Sequence, residues 1–313
     1  MAETLIVIPG FGQSALREEG ENGRPLWPPQ IDSDTLIGRM KGPFMKLFFF
    51  RRDAGFSDTA EALLGEYSAP LAFGNDGEPK TPRRAWSGEK LLGAAYPGDE
   101  VRARYENVHV FGYDFLRSPV DNAELLNAFL EEKNVQKADF LTVQFGAGVL
   151  LSCLSAHGSD KVDRASLLAP CFQGVGLVAD AYDGSLTGDK VKELLGRIDN
   201  KQIAGMREIL KMVPPEVFDA LVQKLVGRGL DDVMLRSPGV WATADPARVP
   251  ALAAKKLADP ELSAVREKVE AYAAVLAGRD SLLSDAVAVT DADPMKIGPD
   301  DWLKALSHLK ADA

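Results

Sequence analysis

The stretch "ADFLTVQFGAGVLLSCL", residues 138–154, decides the fold. From Ala138 to Phe145 it is a β-prone and largely apolar run, and Gly146, Ala147 and Gly148 follow at once with a helix-forming tail. An apolar run that ends in small residues and continues as a helix reads as a buried strand, a tight turn and a covering helix. The same rhythm recurs on either side. "TLIVIPG" (4–10), "NVHVFGY" (107–113), "RASLLAP" (164–170) and "AVAVTDA" (286–292) are short strand-like runs. Between two of them, "DNAELLNAFLEEKNV" (121–135) sets Leu125, Leu126, Phe129 and Leu130 on one stripe with polar residues opposite, the pattern of an amphipathic crossover helix. The alternation predicts a single α/β domain over 1–313, with a mainly parallel sheet and helices on both faces.

Two segments interrupt the rhythm. Residues 15–100 carry Gly, Pro and charge clusters such as "REEGENGRPLWPPQ" and "GNDGEPKTPRR", the composition of a loop-rich insertion or lid. Residues 172–280 show helical spacing in "DKVKELLGRI", "AGMREILKMV", "PPEVFDALVQKLV" and "DPELSAVREKVEAYAAVLAG", which predicts a helical cap. Within the first insertion, Phe44, Phe48, Phe49 and Phe50 stand beside Arg51 and Arg52. They read either as packed rings beneath exposed arginines or as a basic and aromatic lipid contact, and the first reading is the expectation.

With 36 Lys and Arg against 46 Asp and Glu, the formal net charge is −10, which excludes a phosphate-backbone partner that needs a Lys/Arg stripe. The two cysteines, Cys153 and Cys171, give no disulfide framework and read as core thiols of a reducing, intracellular compartment. "MAETLIVIPG" lacks the basic and long apolar regions of a secretory signal, and "FMKLFFFRR" (44–52) is too short to span a bilayer. Three scattered histidines, with no HExxH and no Cys/His spacing, predict no metal site, and no dinucleotide fingerprint predicts a cofactor.

The turn at 143–148 raises the functional question. A serine hydrolase of this class places its nucleophile on a strand-to-helix turn of the form G-x-S-x-G. Here the turn reads Val143, Gln144, Phe145, Gly146, Ala147, Gly148. With Phe145 at the apex there is no lone pair to attack a carbonyl.

Other motifs share its order: "PGFGQSAL" (9–16), "GRPLW" (23–27), "YENVHVFGYDFLRSP" (105–119), "LLAPCFQG" (167–174) and "LRSPGVWATADP" (235–246). In order and spacing the chain resembles the lecithin:cholesterol acyltransferase family of α/β-hydrolases over roughly residues 4–250. The resemblance implies an α/β-hydrolase fold. It sets Gly10 and Phe11 in the oxyanion region, Gln144 at the family's His, Phe145 at its catalytic Ser and Asp114 at the Asp of its Y-D-W-R. Phe115 and Leu116 replace the Trp and Arg of that motif, and the family's acid and histidine segments have no recognisable counterpart.

Among late residues, Asp291 and Asp293 with His308 are the candidates for a residual acid–histidine pair. "PDDWLKALSHLK" equally reads as a C-terminal helix capped by Asp300 and Asp301. His109 reads as a strand histidine, His157 as a helix-end residue and Ser14 as a loop hydrogen-bond partner. The resulting expectation is a catalytically inactive acyltransferase- or lipase-like protein with a structural, accessory or ligand-binding role, its partner a protein or a lipid or acyl ligand. The alternative is a lipid ester hydrolase or O-acyltransferase with a non-standard nucleophile.

Overall fold

The computed structural model describes residues 3–309 apart from 21, 31, 87–97, 198–212 and 295. Most of "AGMREILKMV" therefore lies outside the described residues.

Five strands, β1 (Thr4–Ile8), β5 (Asn107–Val110), β6 (Ala138–Val143), β7 (Val162–Leu168) and β8 (Ala286–Val289), form one sheet in the order β5-β1-β6-β7-β8. Every neighbouring pair in it is parallel. The second strand lies on one side of β1 and the third on the other, so the direction of winding reverses at β1. Parallel crossovers are right-handed, and a reversal therefore sends helices to opposite faces. The packing follows that rule. Val101 of α3 (Gly98–Arg104), Tyr105 just beyond its end, and Trp302, Ala305 and Leu306 of the helix Pro299–Ser307 meet Leu5, Val7, Leu141 and Val143. On the other face Leu126 and Leu130 of α4 (Pro119–Glu132) and Val149 and Leu150 of α5 (Gly146–His157) meet Ile6, Ile8 and Phe140. Successive residues of β1 thus serve opposite layers, which is why its sequence is apolar throughout.

Between β1 and β5 the chain makes a small antiparallel sheet, β3-β2-β4, from Ala15–Glu18 (β2), Pro25–Trp27 (β3) and Arg83–Trp86 (β4). Among its loops stand two helices, α1 (Ser33–Phe50) and α2 (Phe56–Ser68). Met40, Phe44 and Leu47 recur at helical spacing on the inward face of α1 and pack with Phe56 of α2 and with Val217, Phe218, Leu221 and Val222 of the helix Pro215–Gly229. The two insertions, far apart in sequence, share one satellite core.

The rest of the phenylalanine run departs from expectation. Phe44 is partly buried there, but Phe48, Phe49 and Phe50 are exposed, because three consecutive residues step about 100° each around a helix and cannot share one face. Gly38 and Gly42 lie inside α1, and a Cβ at either meets nothing within 4 Å. Gly38→Ala should therefore stabilise the fold by about 1 kcal/mol, read as a higher urea midpoint, because alanine loses less backbone entropy on becoming helical, whereas Gly42 precedes Pro43, whose ring disfavours a Cβ on a helical residue before it. An unchanged midpoint would mean that α1 unfolds separately from the sheet.

Candidate functional site

In an open α/β sheet the ligand crevice lies beyond the carboxyl ends of the strands, at the point where winding reverses. Here that point is the gap between β1 and β6, faced by the turns that follow them. After β1 the chain makes a tight turn in which Gln13 N–H donates to Gly10 O (3.2 Å) and Gly12 takes a φ of +75°. Gly10 N–H donates to Gln13 Oε1 at 2.7 Å, so a backbone donor of the expected oxyanion region is already held by a side chain of its own loop. Trp27 Nε1 donates to Gly12 O (2.7 Å) and Tyr113 Oη to Pro9 O (3.0 Å), fixing the loop from both flanks. Ser14 Oγ accepts from Tyr113 N–H at 3.2 Å, tying the loop to the segment after β5.

The turn after β6 shifts the expected register by one residue. Gln144 N–H still donates to Leu168 O (2.9 Å) as the last rung of the ladder, and Gln144 then adopts a φ of +49°. That left-handed conformation costs a non-glycine residue roughly 1–2 kcal/mol, and it marks the apex of the elbow. Phe145 has already turned right-handed helical and is the N-cap of α5. The apex is therefore Gln144, and Phe145 is the residue after it. The sequence allows this alignment as well: the last glycine of G-x-S-x-G follows the nucleophile by two, and Gly146 follows Gln144 by two. Gly146 is the packing glycine, since a Cβ there would lie 2.4 Å from Pro9 O and 2.7 Å from Ile8 O.

The Gln144 amide bridges two loops. Nε2 donates to Pro294 O at 2.5 Å, in the segment after β8, and Oε1 lies over Gly10, where a Cβ would come within 2.4 Å of it. Beside it four aromatic rings occupy the crevice. Phe11 packs edge-on against Phe115 (centroids 4.8 Å) and Phe145 (6.2 Å), and Trp27 against Phe115 (5.5 Å). Beneath Phe115, Asp114 is buried and takes a 2.8 Å bond from the fully buried Arg83 of β4.

None of the three histidines reaches the apex. His157 ends α5, twelve residues beyond Phe145, or about 18 Å along the helix axis. It pairs with Glu124 at 3.1 Å. His109 lies within β5, edge-on to Phe129, where burial and then Lys133 depress its pKa. His308 caps the last helix, next to Leu309, whose carbonyl accepts from Arg164 at 2.5 Å. Arg164 pairs in register with Asp139, five residues before Gln144, or about 16 Å along the strand. His308 thus sits toward the opposite end of the sheet from Gln144. The late acids fare differently. Asp291 pairs with Lys304 at 2.5 Å, which holds its carboxyl below the usual range. The Asp293 carbonyl accepts from Lys296 N–H (2.9 Å), and the segment reaches the apex through the Pro294 carbonyl.

Cys153 is buried in α5, whereas Cys171 is only partly buried and borders the elbow, its N–H donating to Gln144 O at 3.4 Å. The expectation of two core thiols therefore holds for one. Burial pushes both thiols up to about 11, so neither is a thiolate near neutral pH. Among the described residues no three His, Cys, Asp or Glu side chains gather as metal ligands.

The sequence matches no family model and no curated protein. Among solved structures, the crystal structure of the Tle4–Tli4 complex aligns over 91% of this chain and 74% of that one, at 13% identity and a TM-score of 0.41. MGS-M2, an α/β hydrolase enzyme from a Medee basin deep-sea metagenome library, aligns over 91% and 79% at 9% identity and a TM-score of 0.27. A chain from work on carboxylesterases of the ammonia-oxidizing thaumarchaeon Nitrososphaera gargenis aligns over 90% of each chain at 12% identity and a TM-score of 0.24. Likenesses this loose carry no argument. The fold rests on the sheet itself: five parallel strands, helices on both faces and a strand–elbow–helix turn at the point of reversal make it α/β-hydrolase-like.

Proposed function

We propose that this chain is a catalytically inactive relative of the lecithin:cholesterol acyltransferase-like α/β-hydrolases, with a structural, accessory or ligand-binding role in a reducing, intracellular compartment. One observation carries the reading: the apex side chain is the Gln144 amide, engaged with Pro294, and each histidine lies away from it. An acyl transfer by the usual route needs a nucleophile, a base within about 3 Å of it and an acid that orients the base. A carboxamide is neither a nucleophile of that kind nor a base. The kinship is supported by the placement of "PGFGQSAL", "YDFLRSP", the elbow and "PCFQG", which follow β1, β5, β6 and β7 at one rim of the sheet.

A second reading, ester chemistry with a non-standard nucleophile, is favoured by the position of Cys171 against the elbow and opposed by its raised pKa. The test is labelling of folded protein with a fluorophosphonate and with iodoacetamide, alongside hydrolysis of short- and long-chain nitrophenyl esters. The expected result is no fluorophosphonate adduct, slow alkylation of Cys171 at neutral pH and no turnover above buffer. Gln144→Ser should add none, because no base stands beside it. A stoichiometric adduct on one serine, or turnover abolished by Cys171→Ala, would overturn the proposal.

A further inference from the structure

Among the described residues seven large apolar side chains are exposed, and five of them stand on α1: Ile37 (61%), Met45 (42%), Phe48 (42%), Phe49 (67%) and Phe50 (62%). They do not belong to the helix's packing face, which is Met40, Phe44 and Leu47. At about 100° per residue, Ile37, Lys41, Met45, Phe48 and Phe49 fall within one outward arc of roughly 120°. The helix is therefore apolar on two sides, held on one by the satellite core and open on the other.

Charge distinguishes this face from the rest of the chain. From Thr35 to Arg52 the sequence carries Arg39, Lys41, Lys46, Arg51 and Arg52 and no Asp or Glu, in a chain of net charge −10. Arg39 is paired with Glu66 (2.6 Å), and Lys41, Lys46, Arg51 and Arg52 are exposed. Exposed aromatic rings flanked by cations are what an anionic lipid interface stabilises: the rings enter the boundary of the acyl chains while the long basic stems reach the headgroups. No helix among the described residues is long and apolar enough to cross a membrane.

We propose that the outward face of α1, with Phe48, Phe49 and Phe50 at its tip, docks the protein on an anionic lipid surface. A second copy of the chain suits this face poorly, because a two-fold contact sets Lys41, Lys46, Arg51 and Arg52 of both copies together. A protein groove suits it poorly as well. Grooves take one face at i, i+3, i+4 spacing, whereas Phe50, about 100° beyond Phe49, carries the apolar surface off that arc around the helix end, a shape that a fluid layer accommodates. The proposal does not depend on the chemistry of the elbow and stands or falls separately from it.

The experiment is co-flotation of the full chain with vesicles of phosphatidylcholine alone and of phosphatidylcholine with about one-third phosphatidylglycerol, at low and high salt. Light scattering gives the oligomeric state of the same samples. The expected result is flotation with the anionic vesicles that weakens with salt and is lower by about tenfold or more in Phe48→Ser with Phe49→Ser. Lys41→Gln with Lys46→Gln should show the charge contribution by reducing flotation without changing melting. These four side chains are exposed, so unchanged circular dichroism and melting will certify that the variants fold. Absence of flotation by the wild-type chain overturns the proposal. A dimer that becomes monomeric in Phe48→Ser with Phe49→Ser reassigns the face to a second copy, and a monomer without flotation reassigns it to a protein partner.

Discussion

Asp114→Ala is expected to cost about 3–5 kcal/mol of folding stability in urea denaturation, the loss that follows when one partner of a buried ion pair is removed. Arg83 Nε lies 2.8 Å from Asp114 Oδ2, and neither side chain meets solvent appreciably. The guanidinium also lies over the Phe73 ring, 4.7 Å from its centroid. Asp114 Oδ1 accepts from Leu116 N–H (3.1 Å), and Asp114 O accepts from Asn122 Nδ2 (3.0 Å). Truncation leaves Arg83 charged in an apolar setting and releases the loop that presents Phe115 to Phe11 and Trp27. With Trp86, Trp241 and Trp302 replaced by Phe in both backgrounds, the fluorescence of Trp27 should therefore report loosening of the crevice before global unfolding. Arg83→Met added to Asp114→Ala should restore at least half of the loss, since it removes the stranded charge. A loss below about 1 kcal/mol in the single variant would mean that water reaches Arg83 once the carboxylate is gone.

The same pair shows what a single sequence can and cannot carry. The alternation of apolar runs and amphipathic helices was sufficient for the sheet because burial on both faces leaves a continuous signature in β1 and β6. Asp114 was legible only as a motif position. Its partner Arg83 comes from another strand after a long insertion, and nothing local in "TPRRAW" distinguishes Arg83 from Arg84, which is exposed. The shared core of the two insertions was hidden for the same reason: each helix shows a stripe, but a stripe does not name the surface that covers it. The phenylalanine run misled because hydrophobicity alone argues for burial, while helical geometry allows only Phe44 and Leu47 to turn inward. At the elbow, the turn was readable and its apex was assigned one residue late, because the small residues Gly146, Ala147 and Gly148 give the motif two possible alignments. Only the left-handed backbone at Gln144 separates them.

Gly146→Ala is expected to destabilise the fold by about 3 kcal/mol, measured by urea denaturation, although the substitution adds one methyl group and improves helix propensity. The new Cβ would stand 2.4 Å from Pro9 O and 2.7 Å from Ile8 O, backbone atoms at the end of β1 that cannot rotate away. To relieve the contact α5 must move off β1, and Val149 and Leu150 then lose their packing on Ile6, Ile8 and Phe140. Gly148→Ala provides the contrast. Its Cβ would meet Tyr272 Oη at 2.3 Å, the far end of a side chain that can give way, and a loss of about 1 kcal/mol is expected. Equal losses at the two positions would show that the helix shifts freely and that the turn is not held against β1. The comparison bears on function, because it separates two demands that one motif usually meets together. The glycine two residues after the apex answers to the distance between strand and helix, which any chain with this sheet must satisfy whether or not it turns over a substrate. The apex side chain answers to chemistry alone, and at that position the chain carries an amide that fastens the loops after β6 and β8 to each other.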